Sequence, residues 1–323
     1  MRRRDVLAFG LASLATSAIA QARYTDRPIK LVVPFSPGGA TDVVGRLWAE
    51  RMKATLGTVI IENKGGGGGV TGAAEVARAA PDGQTFLFGN TSTQVLIPTI
   101  MSRPPYDALK DFVGIYILCV SPTSIVVHES VPARTLQELI AYAKANPDKL
   151  SYGSAGAGTM TNLSGELFKQ LIGAPGIVHI PYKGSAPGVA DLASGHIPMM
   201  TPNIGGPLLQ FHRTGKVRIL AVAAERRLKV APDIPTAIEA GLPGMVAANF
   251  NGLFAPAGLP KSIIDLVAQA THAVMQDEEF QKPLITSGFE PVLDSSPDAV
   301  QRVVASELAR WTPIMKATGF KME

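Results

Sequence analysis

The sequence contains a single cysteine and few charged side chains. Cys119 lies in an apolar run and has no partner for an internal disulfide, so we expect a small buried hydrophobe there. Charged residues make up 17% of the 323 residues and hydrophobic residues 46%, which excludes a disordered chain. No basic stripe with interleaved aromatic residues occurs, and we therefore expect no nucleic-acid partner.

The sequence also lacks metal-binding spacings and long internal apolar runs. Its five histidines are scattered, without a pattern such as His-Glu-x-x-His, so we expect no bound metal. Beyond the N-terminal region no apolar segment approaches the length of a membrane-spanning helix. The mature chain is therefore expected to be soluble.

The N-terminal residues have the pattern of an export signal. Three consecutive arginines precede an apolar stretch from Val6 to Ala20, and small-x-small cleavage sites end at Ala20 and Ala22. Because the apolar stretch is short for a spanning helix, we expect residues 1–22 to be a cleaved signal peptide and the mature protein to be periplasmic. The Arg3-Arg4 pair also resembles a twin-arginine signal, so the export route stays open.

Apolar strands alternate with glycine-rich turns and helices along the chain. The first 90 residues predict strand, helix, strand, helix and strand, the order of a parallel doubly wound sheet. A second set of such units follows Pro122. We therefore expect an α/β fold with two lobes, each a mostly parallel sheet flanked by helices. Lobe one would comprise residues 23–121 and 249–323, and lobe two residues 122–248.

Three glycine-rich turns each join a strand to a helix, at Gly38-Gly39, at Gly65 to Gly69 and at Gly156/Gly158. Glycine lets the backbone approach a ligand, and the following helix directs unpaired N–H groups and its positive dipole end at the same point. Ligands of open α/β sheets bind at the carboxyl ends of strands. We therefore expect the turns to converge on one cleft for a carboxylate or another small anion. The hydroxyl groups expected to line it are those of Thr41, Ser154, Thr159 and Thr161.

The first of these turns carries an acidic residue whose role the sequence leaves open. The helix is expected to begin at Thr41 or Asp42 and to bury a face containing Trp48. Asp42 either caps this helix or receives a ligand ammonium or hydroxyl group. Lys183 is the cation expected to face the cleft, with a solvated loop lysine as the alternative.

Two motifs leave enzymatic alternatives open. Gly67-x-Gly69-x-x-Gly72 formally matches the dinucleotide fingerprint, although the acidic residue expected about twenty positions later is missing. This pattern would suit an exported nicotinamide-dependent oxidoreductase. The stretch around Ser154 approaches the Gly-x-Ser-x-Gly nucleophile elbow, with Tyr152 in place of the first glycine. A serine hydrolase that pairs Ser154 with one of the histidines is therefore a further alternative.

Several stretches, in their order and spacing, resemble the signatures of the tripartite tricarboxylate transporter receptor family, also called Bug proteins. Among them are the stretch Pro-Phe-Ser-Pro-Gly-Gly-Ala-Thr-Asp and the stretch His-Ile-Pro-Tyr-Lys-Gly-Ser-Ala-Pro. The resemblance covers essentially the whole mature chain. The matching stretches are residues 34–42, 62–69 with 72–74, 80–85, 154–159, 179–187, 235–241 and 252–258.

The resemblance implies a periplasmic solute-binding protein with a type II, Venus-flytrap fold. Its ligand would be a small carboxylate, such as a dicarboxylate, a tricarboxylate or a related acid, and its partners the membrane permease subunits of a tripartite transporter. It implies no catalytic residues, no enzymatic activity and no cofactor, and we expect a monomer. A sensor accessory protein that presents ligand to a membrane kinase is the alternative within the binding proteins.

The resemblance also implies that one ligand carboxylate is held between the Gly38–Asp42 loop and the Gly156–Thr161 loop, and that variable positions contact the far end. Two departures affect ligand choice: Phe250 stands where Trp is common in the family, and residues 201–203 replace a segment that usually has an acidic residue. The residues expected to bind ligand are Phe35, Gly38, Gly39, Ala40, Thr41, Asp42, Asn90, Ser154, Gly156, Ala157, Gly158, Thr159, Thr161, Tyr182, Lys183, Asn203 and Phe250.

Overall fold

The computed structural model describes residues 27–146 and 148–318. The expected signal peptide, residues 1–22, and Pro147 lie outside the described residues. The strands are β1 (Ile29–Val33), β2 (Val59–Asn63), β3 (Thr85–Asn90), β4 (Phe112–Pro122), β5 (Ser124–His128), β6 (Ser151–Ser154), β7 (Val178–Pro181), β8 (Met199–Met200), β9 (Val217–Val222), β10 (Ala248–Pro256) and β11 (Glu290–Pro291). The helices are α1 (Ala40–Leu56), α2 (Val70–Ala77), α3 (Ile97–Ile100), α4 (Leu136–Ala145), α5 (Met160–Ile172), α6 (Ser185–Ala193), α7 (Gly206–Arg213), α8 (Lys261–Met275), α9 (Glu278–Thr286) and α10 (Pro297–Thr318).

The strands form two sheets, each the centre of one lobe. The first lobe contains the six-stranded sheet in the order β11-β4-β10-β3-β1-β2, and the second lobe the five-stranded sheet β7-β6-β8-β5-β9. The chain passes from the first sheet to the second between β4 and β5, and β10 returns it to the first sheet. The expected two-lobed α/β fold is therefore confirmed.

Both sheets are mixed, which corrects the expectation of mostly parallel sheets. Strand β1 runs parallel to β2 and β3, and β6 runs parallel to β7 and β8. The remaining pairs, β4 with β10 and β11, β3 with β10, and β5 with β8 and β9, are antiparallel. The reason is connectivity: β4 leaves the first lobe and β10 re-enters it, so these neighbouring strands point in opposite directions.

Helix α1 shows how the apolar pattern builds the first lobe. Val44, Trp48 and Met52 recur at four-residue spacing and are fully buried. The indole Nε1–H of Trp48 donates to the hydroxyl of Thr271 on α8 at 3.0 Å, so the buried polar atom is satisfied. The helix begins at Ala40, slightly before the expected start, because Gly39 rather than Thr41 or Asp42 takes the capping position.

The expectation for Cys119 is confirmed. The side chain is fully buried in the core of the first lobe, and burial raises the pKa of its thiol. Across the described residues, no helix combines the length and the apolar character that crossing a membrane requires.

Candidate functional site

The N-terminal turns of three helices meet between the lobes. They line a small cavity. The centre of a water molecule could move there within about 20 Å³, which is room for about one water molecule. Gly39, Ala40 and Thr41 of the α1 turn face Thr159 and Thr161 of the α5 turn, and Ser185 opens α6. The full lining is Phe35, Gly39, Ala40, Thr41, Asn90, Ser92, Ala155, Thr159, Thr161, Ser185, Asn203 and Asn249.

This convergence creates positive potential without a cationic side chain. The first turn of each helix carries N–H groups that have no acceptor within the helix, and the helix dipole adds partial positive charge there. No Lys, Arg or His occurs among the described residues that line the cavity. Within the described part of the chain, no cluster of His, Cys, Asp or Glu could hold a metal ion. The arrangement is therefore suited to a small anion bound by backbone donors.

The α1 and α5 turns are shaped by matching hydrogen bonds. The N–H of Gly38 donates to Oδ2 of Asp42 at 2.8 Å, and the N–H of Gly158 donates to Oδ1 of Asn162 at 3.0 Å. Gly38 and Gly158 have φ angles of 76° and 74°, which glycine adopts readily. The two lobes thus place a helix N-terminus at the cavity by the same local device.

Asp42 organises the loop and does not line the cavity. Its Oδ2 also accepts from Nε of Arg46 at 2.8 Å, and its Oδ1 accepts from Nδ2 of Asn63 at 2.8 Å. Burial raises the pKa of this carboxyl, but the hydrogen bonds from Arg46, Gly38 and Asn63 outweigh burial and leave the pKa below its usual 3.8. Asp42 is therefore bonded within the protein, and its lowered pKa favours the ionised carboxylate near pH 7.

Two polar side chains of the first lobe at the cavity, Thr41 and Asn90, are hydrogen-bonded to each other. The hydroxyl of Thr41 donates to Oδ1 of Asn251 at 3.0 Å and accepts from Nδ2 of Asn90 at 3.2 Å. Oδ1 of Asn90 in turn accepts from the N–H of Thr93. These bonds fix the cavity wall and leave the backbone N–H groups of α1 as its donors.

A hydrogen bond between the lobes occupies one donor of α5. The N–H of Met160 donates to Oγ of Ser92 at 3.0 Å, and both residues are buried. Thr161 accepts from the N–H of Ala155 at 2.9 Å, which holds the α5 turn against β6. The structure is therefore a closed form in which a serine hydroxyl of the first lobe is bonded to a main-chain donor at the start of α5.

Asn249 provides an unpaired polar group at the cavity. The residue is 2% exposed, and its Oδ1 has no hydrogen-bond partner in the protein. An unpaired buried polar atom is costly, so its presence in a cavity indicates a place for a ligand group or water. Asn203 also lines the cavity, where its Nδ2 donates to the carbonyl of Ser121 at 3.1 Å.

The glycine-rich turn from Gly65 to Gly69 lies at the contact between the lobes, not at the cavity. A side chain on Gly68 would place its Cβ 2.4 Å from the carbonyl oxygen of Ala157. Two of the three expected turns, those before α1 and α5, therefore converge on the cavity, and the third helix terminus there is that of α6. The 3-10 turn Gly67–Gly69 packs on the second lobe, so the dinucleotide motif lacks open space for a pyrophosphate.

Five expected ligand residues shape the loop behind the cavity on the second lobe. Gly156, Ala157 and Gly158 form the turn itself, while the hydroxyl of Tyr182 donates to Asp191 at 2.8 Å. Lys183 is exposed, and its contribution is its carbonyl oxygen, which accepts from the N–H of Ser36 at 3.2 Å across the lobes. None of these five lines the cavity in this closed structure.

Phe250 lies behind the cavity in the first lobe. It packs on Phe254, and its N–H donates to the hydroxyl of Thr91 at 2.9 Å. The lining residues that sequence reasoning missed are Ser92, Ala155, Ser185 and Asn249. Two signals could have found two of them: Ser185 follows a Gly184 turn, and Asn249 opens the polar Asn-x-Asn of a crossing strand.

Ser154 and His179 are close together but lie outside the cavity. Oγ of Ser154 lies 2.7 Å from Nε2 of His179 and also bonds to the N–H and the carbonyl of Gly156 at 3.1 Å. Ser154 is fully buried, so its hydroxyl is inaccessible to a substrate in this structure. Burial lowers the pKa of His179 to about 4, so the imidazole is neutral near pH 7. The pair holds the α5 turn in place.

The chain matches known proteins along most of its length. Residues 44–320 match the family described as "Tripartite tricarboxylate transporter family receptor". Protein BugT of Bordetella pertussis (strain Tohama I) is 33% identical over 316 residues, which is 96% of this chain and 96% of that protein.

Solved structures share the fold closely. The periplasmic binding protein BugD superposes with a TM-score of 0.88 and 34% identity, covering 93% of this chain and 100% of that chain. R. palustris Rpa4515, solved with adipate, superposes with a TM-score of 0.88 and 33% identity, covering 92% of this chain and 99% of that chain.

Proposed function

The chain belongs to the tripartite tricarboxylate transporter receptor family, and we propose that it captures a small carboxylate in its interlobe cleft and delivers it to a membrane permease. The observation that carries this proposal is the convergence of three helix N-termini, from α1, α5 and α6, on one buried cavity. Such a site binds an anion through backbone donors. The structure of the 33% identical Rpa4515 with adipate supports a carboxylate as the anion.

The ligand carboxylate would bridge the two lobes. On the first lobe it accepts from the N–H groups that open α1, and on the second lobe from those that open α5 and α6. Asn249, with its unpaired amide oxygen, would contact a hydroxyl or a bound water beside the carboxylate. The residues proposed to form the site are Phe35, Gly39, Ala40, Thr41, Asn90, Ser92, Thr159, Thr161, Ser185, Asn203 and Asn249.

Ligand entry and release both require the lobes to separate. The cavity has room for about one water molecule, so an organic acid enters only when the lobes open. In the closed form Ser36 on the first lobe donates to the carbonyl of Lys183 on the second. A ligand that contacts both lobes favours this closed form because it binds that form more tightly than the open one. The moving bodies would be residues 23–121 with 249–323, and residues 122–248.

The location and the partners follow from the family. We propose that residues 1–22 direct export, that cleavage occurs near Ala20 or Ala22, and that the mature protein works in the periplasm as a monomer. The closed form would then dock on the permease subunits of a tripartite transporter. The ligand would be released unchanged, without catalysis or a cofactor.

Isothermal titration calorimetry with a panel of small carboxylates tests this function. At least one acid should bind the mature chain, and the variant Gly39→Val should lose that binding. Gly39 has an ordinary extended backbone with φ −74°, so valine is compatible with the fold while its side chain enters the space between α1 and α6. Gly206→Val is the matched control, because Gly206 does not line the cavity and a Cβ there would meet Oγ of Ser287 at 3.7 Å, an ordinary van der Waals contact. Binding that survives in Gly39→Val, or absence of binding by every acid, would refute the proposal.

A further inference from the structure

A second cavity adjoins the anion site and has a different chemistry. The two cavities share Gly39, Ala40, Ser185 and Asn203 as wall residues, so they lie side by side between the lobes. About 120 Å³ of the second cavity is open to the centre of a water-sized sphere, several times the space at the anion site. We call this second cavity the side chamber.

The walls of the side chamber are apolar beyond its mouth. Val189 projects from α6, and Leu208 and Phe211 project from α7. Ser185 and Asn203, the residues with polar side chains among those that line it, also line the anion site. The polar side chains therefore lie at the boundary between the two cavities, and the side chains beyond it are apolar.

No ionisable side chain occurs among the described residues that line the side chamber. Lys216 lies near by, 5.8 Å from the ring centroid of Phe211, but it is not part of the lining. A second carboxylate placed in the chamber would find no cationic side chain there and would depend on the main-chain N–H groups at the start of α7 alone. An apolar group placed there would instead gain from leaving water.

We propose that the ligand is a monocarboxylic acid whose apolar body, an aliphatic chain or an aromatic ring of about four to six carbon atoms, occupies the side chamber. This inference rests on the proposed function, since it assigns the carboxylate to the three helix N-termini. The size follows from comparison: an apolar cavity of about 150 Å³ accommodates benzene. The chain would thus differ in ligand class from Rpa4515, which was solved with the diacid adipate.

Hexanoate and adipate form a matched pair for the test, because they differ in one end group and share a six-carbon chain. In calorimetric titrations of the mature chain, hexanoate should bind at least about tenfold more tightly than adipate. From butanoate to hexanoate the affinity should rise about fourfold for each added methylene group.

The variant Phe211→Arg places a cation at the side chamber and should reverse the preference in favour of adipate. Ala190→Arg, at an exposed position of α6 that also lines the chamber, should act in the same direction. Gln210→Arg is the control, since Gln210 is exposed on α7, lies outside the lining and receives the same charge. It should leave the preference unchanged.

Each outcome decides between the inference and the function on which it rests. Adipate binding as tightly as hexanoate, or more tightly, would overturn the side-chamber inference and leave the carboxylate-binding function intact. Absence of binding by any mono- or dicarboxylate would overturn both. A preference for hexanoate that persists unchanged in both arginine variants at the chamber would show that the ligand body lies elsewhere, and would overturn the inference.

Discussion

At the scale of single residues, the burial of His179 beside Ser154 makes the stability of the folded protein depend on pH. The imidazole stacks on the ring of Tyr152 with centroids 4.9 Å apart. Burial lowers the pKa of His179 to about 4; Glu166 acts against this shift and Lys169 adds to it. In the unfolded chain the same group titrates near its ordinary value of 6.5. Between these two values the unfolded chain binds a proton that the folded protein does not bind.

The free energy of unfolding should therefore decrease as the pH falls from 6.5 to about 4. His179→Gln removes the titrating group and should show a flatter dependence over that range. Denaturant unfolding of both proteins at several pH values measures the difference. Parallel curves for wild type and variant would contradict the assignment of this pH dependence to His179.

Residue roles were the part of the site that sequence reasoning predicted least well. Lys183 was expected to supply a cation, yet it contributes a backbone carbonyl to the lobe contact. Asp42 could have capped a helix or bound ligand, and the structure shows it bonded to Gly38, Arg46 and Asn63. These outcomes depend on which groups approach through the fold, and a local sequence pattern does not contain that information.

At the scale of elements, the lobe contact depends on the absence of a side chain at Gly68. The residue has φ 68°, and a Cβ there would lie 2.4 Å from the carbonyl oxygen of Ala157. Gly173, at the end of α5, has nearly the same φ of 67°, but a Cβ there would meet no atom within 4 Å. A comparison of alanine variants at the two glycines therefore distinguishes the effect of backbone strain, which both share, from steric obstruction between the lobes, which only Gly68 has.

Gly68→Ala and Gly173→Ala should each lower the unfolding free energy by about 1 kcal/mol, because alanine is strained at positive φ. Gly68→Ala alone should also weaken binding of the acid found by titration, by at least about tenfold, since it obstructs closure. Calorimetric titration and denaturant unfolding measure the two effects. Equal ligand affinity in the two variants would exclude the Gly68 contact as a requirement for closure.

The elements themselves were largely predictable, and their pairing was not. Over the first 90 residues the structure has strand β1, helix α1, strand β2, helix α2 and strand β3, the order that the sequence predicts. The short helices α3, α7 and α9 are brief, so their apolar periodicity is too weak to predict them. Strand direction was wrong because it is set by which distant strands become neighbours, and β4 and β10 are more than 120 residues apart.

At the scale of the whole molecule, the two-lobed fold and the receptor family were both predictable. Motifs spread along the chain carried the resemblance, and the match over residues 44–320 confirms it. The side chamber could not be predicted in the same way. It is formed by α6 and α7 of the second lobe together with the Gly38–Ala40 segment of the first lobe, so it exists only once the lobes meet.

The closed structure has consequences for the free protein in solution. Because its anion site holds about one water molecule, the ligand-free protein must populate an open form to bind an acid. Small-angle X-ray scattering should therefore show a smaller radius of gyration after a saturating acid is added. Gly68→Ala should retain the larger radius under the same conditions. A radius unchanged by ligand in the wild type would contradict closure on binding.

The central claim is that backbone donors at three helix N-termini hold the ligand carboxylate, and a crystal structure with the tightest-binding acid of the titration panel tests it most directly. The account predicts the carboxylate between Ala40, Met160 and Ser185, within hydrogen-bond distance of main-chain N–H groups from both lobes. The Ser92–Met160 hydrogen bond should be replaced by a bond to the ligand or to an ordered water. A carboxylate paired with an arginine or lysine side chain away from these termini would contradict the account.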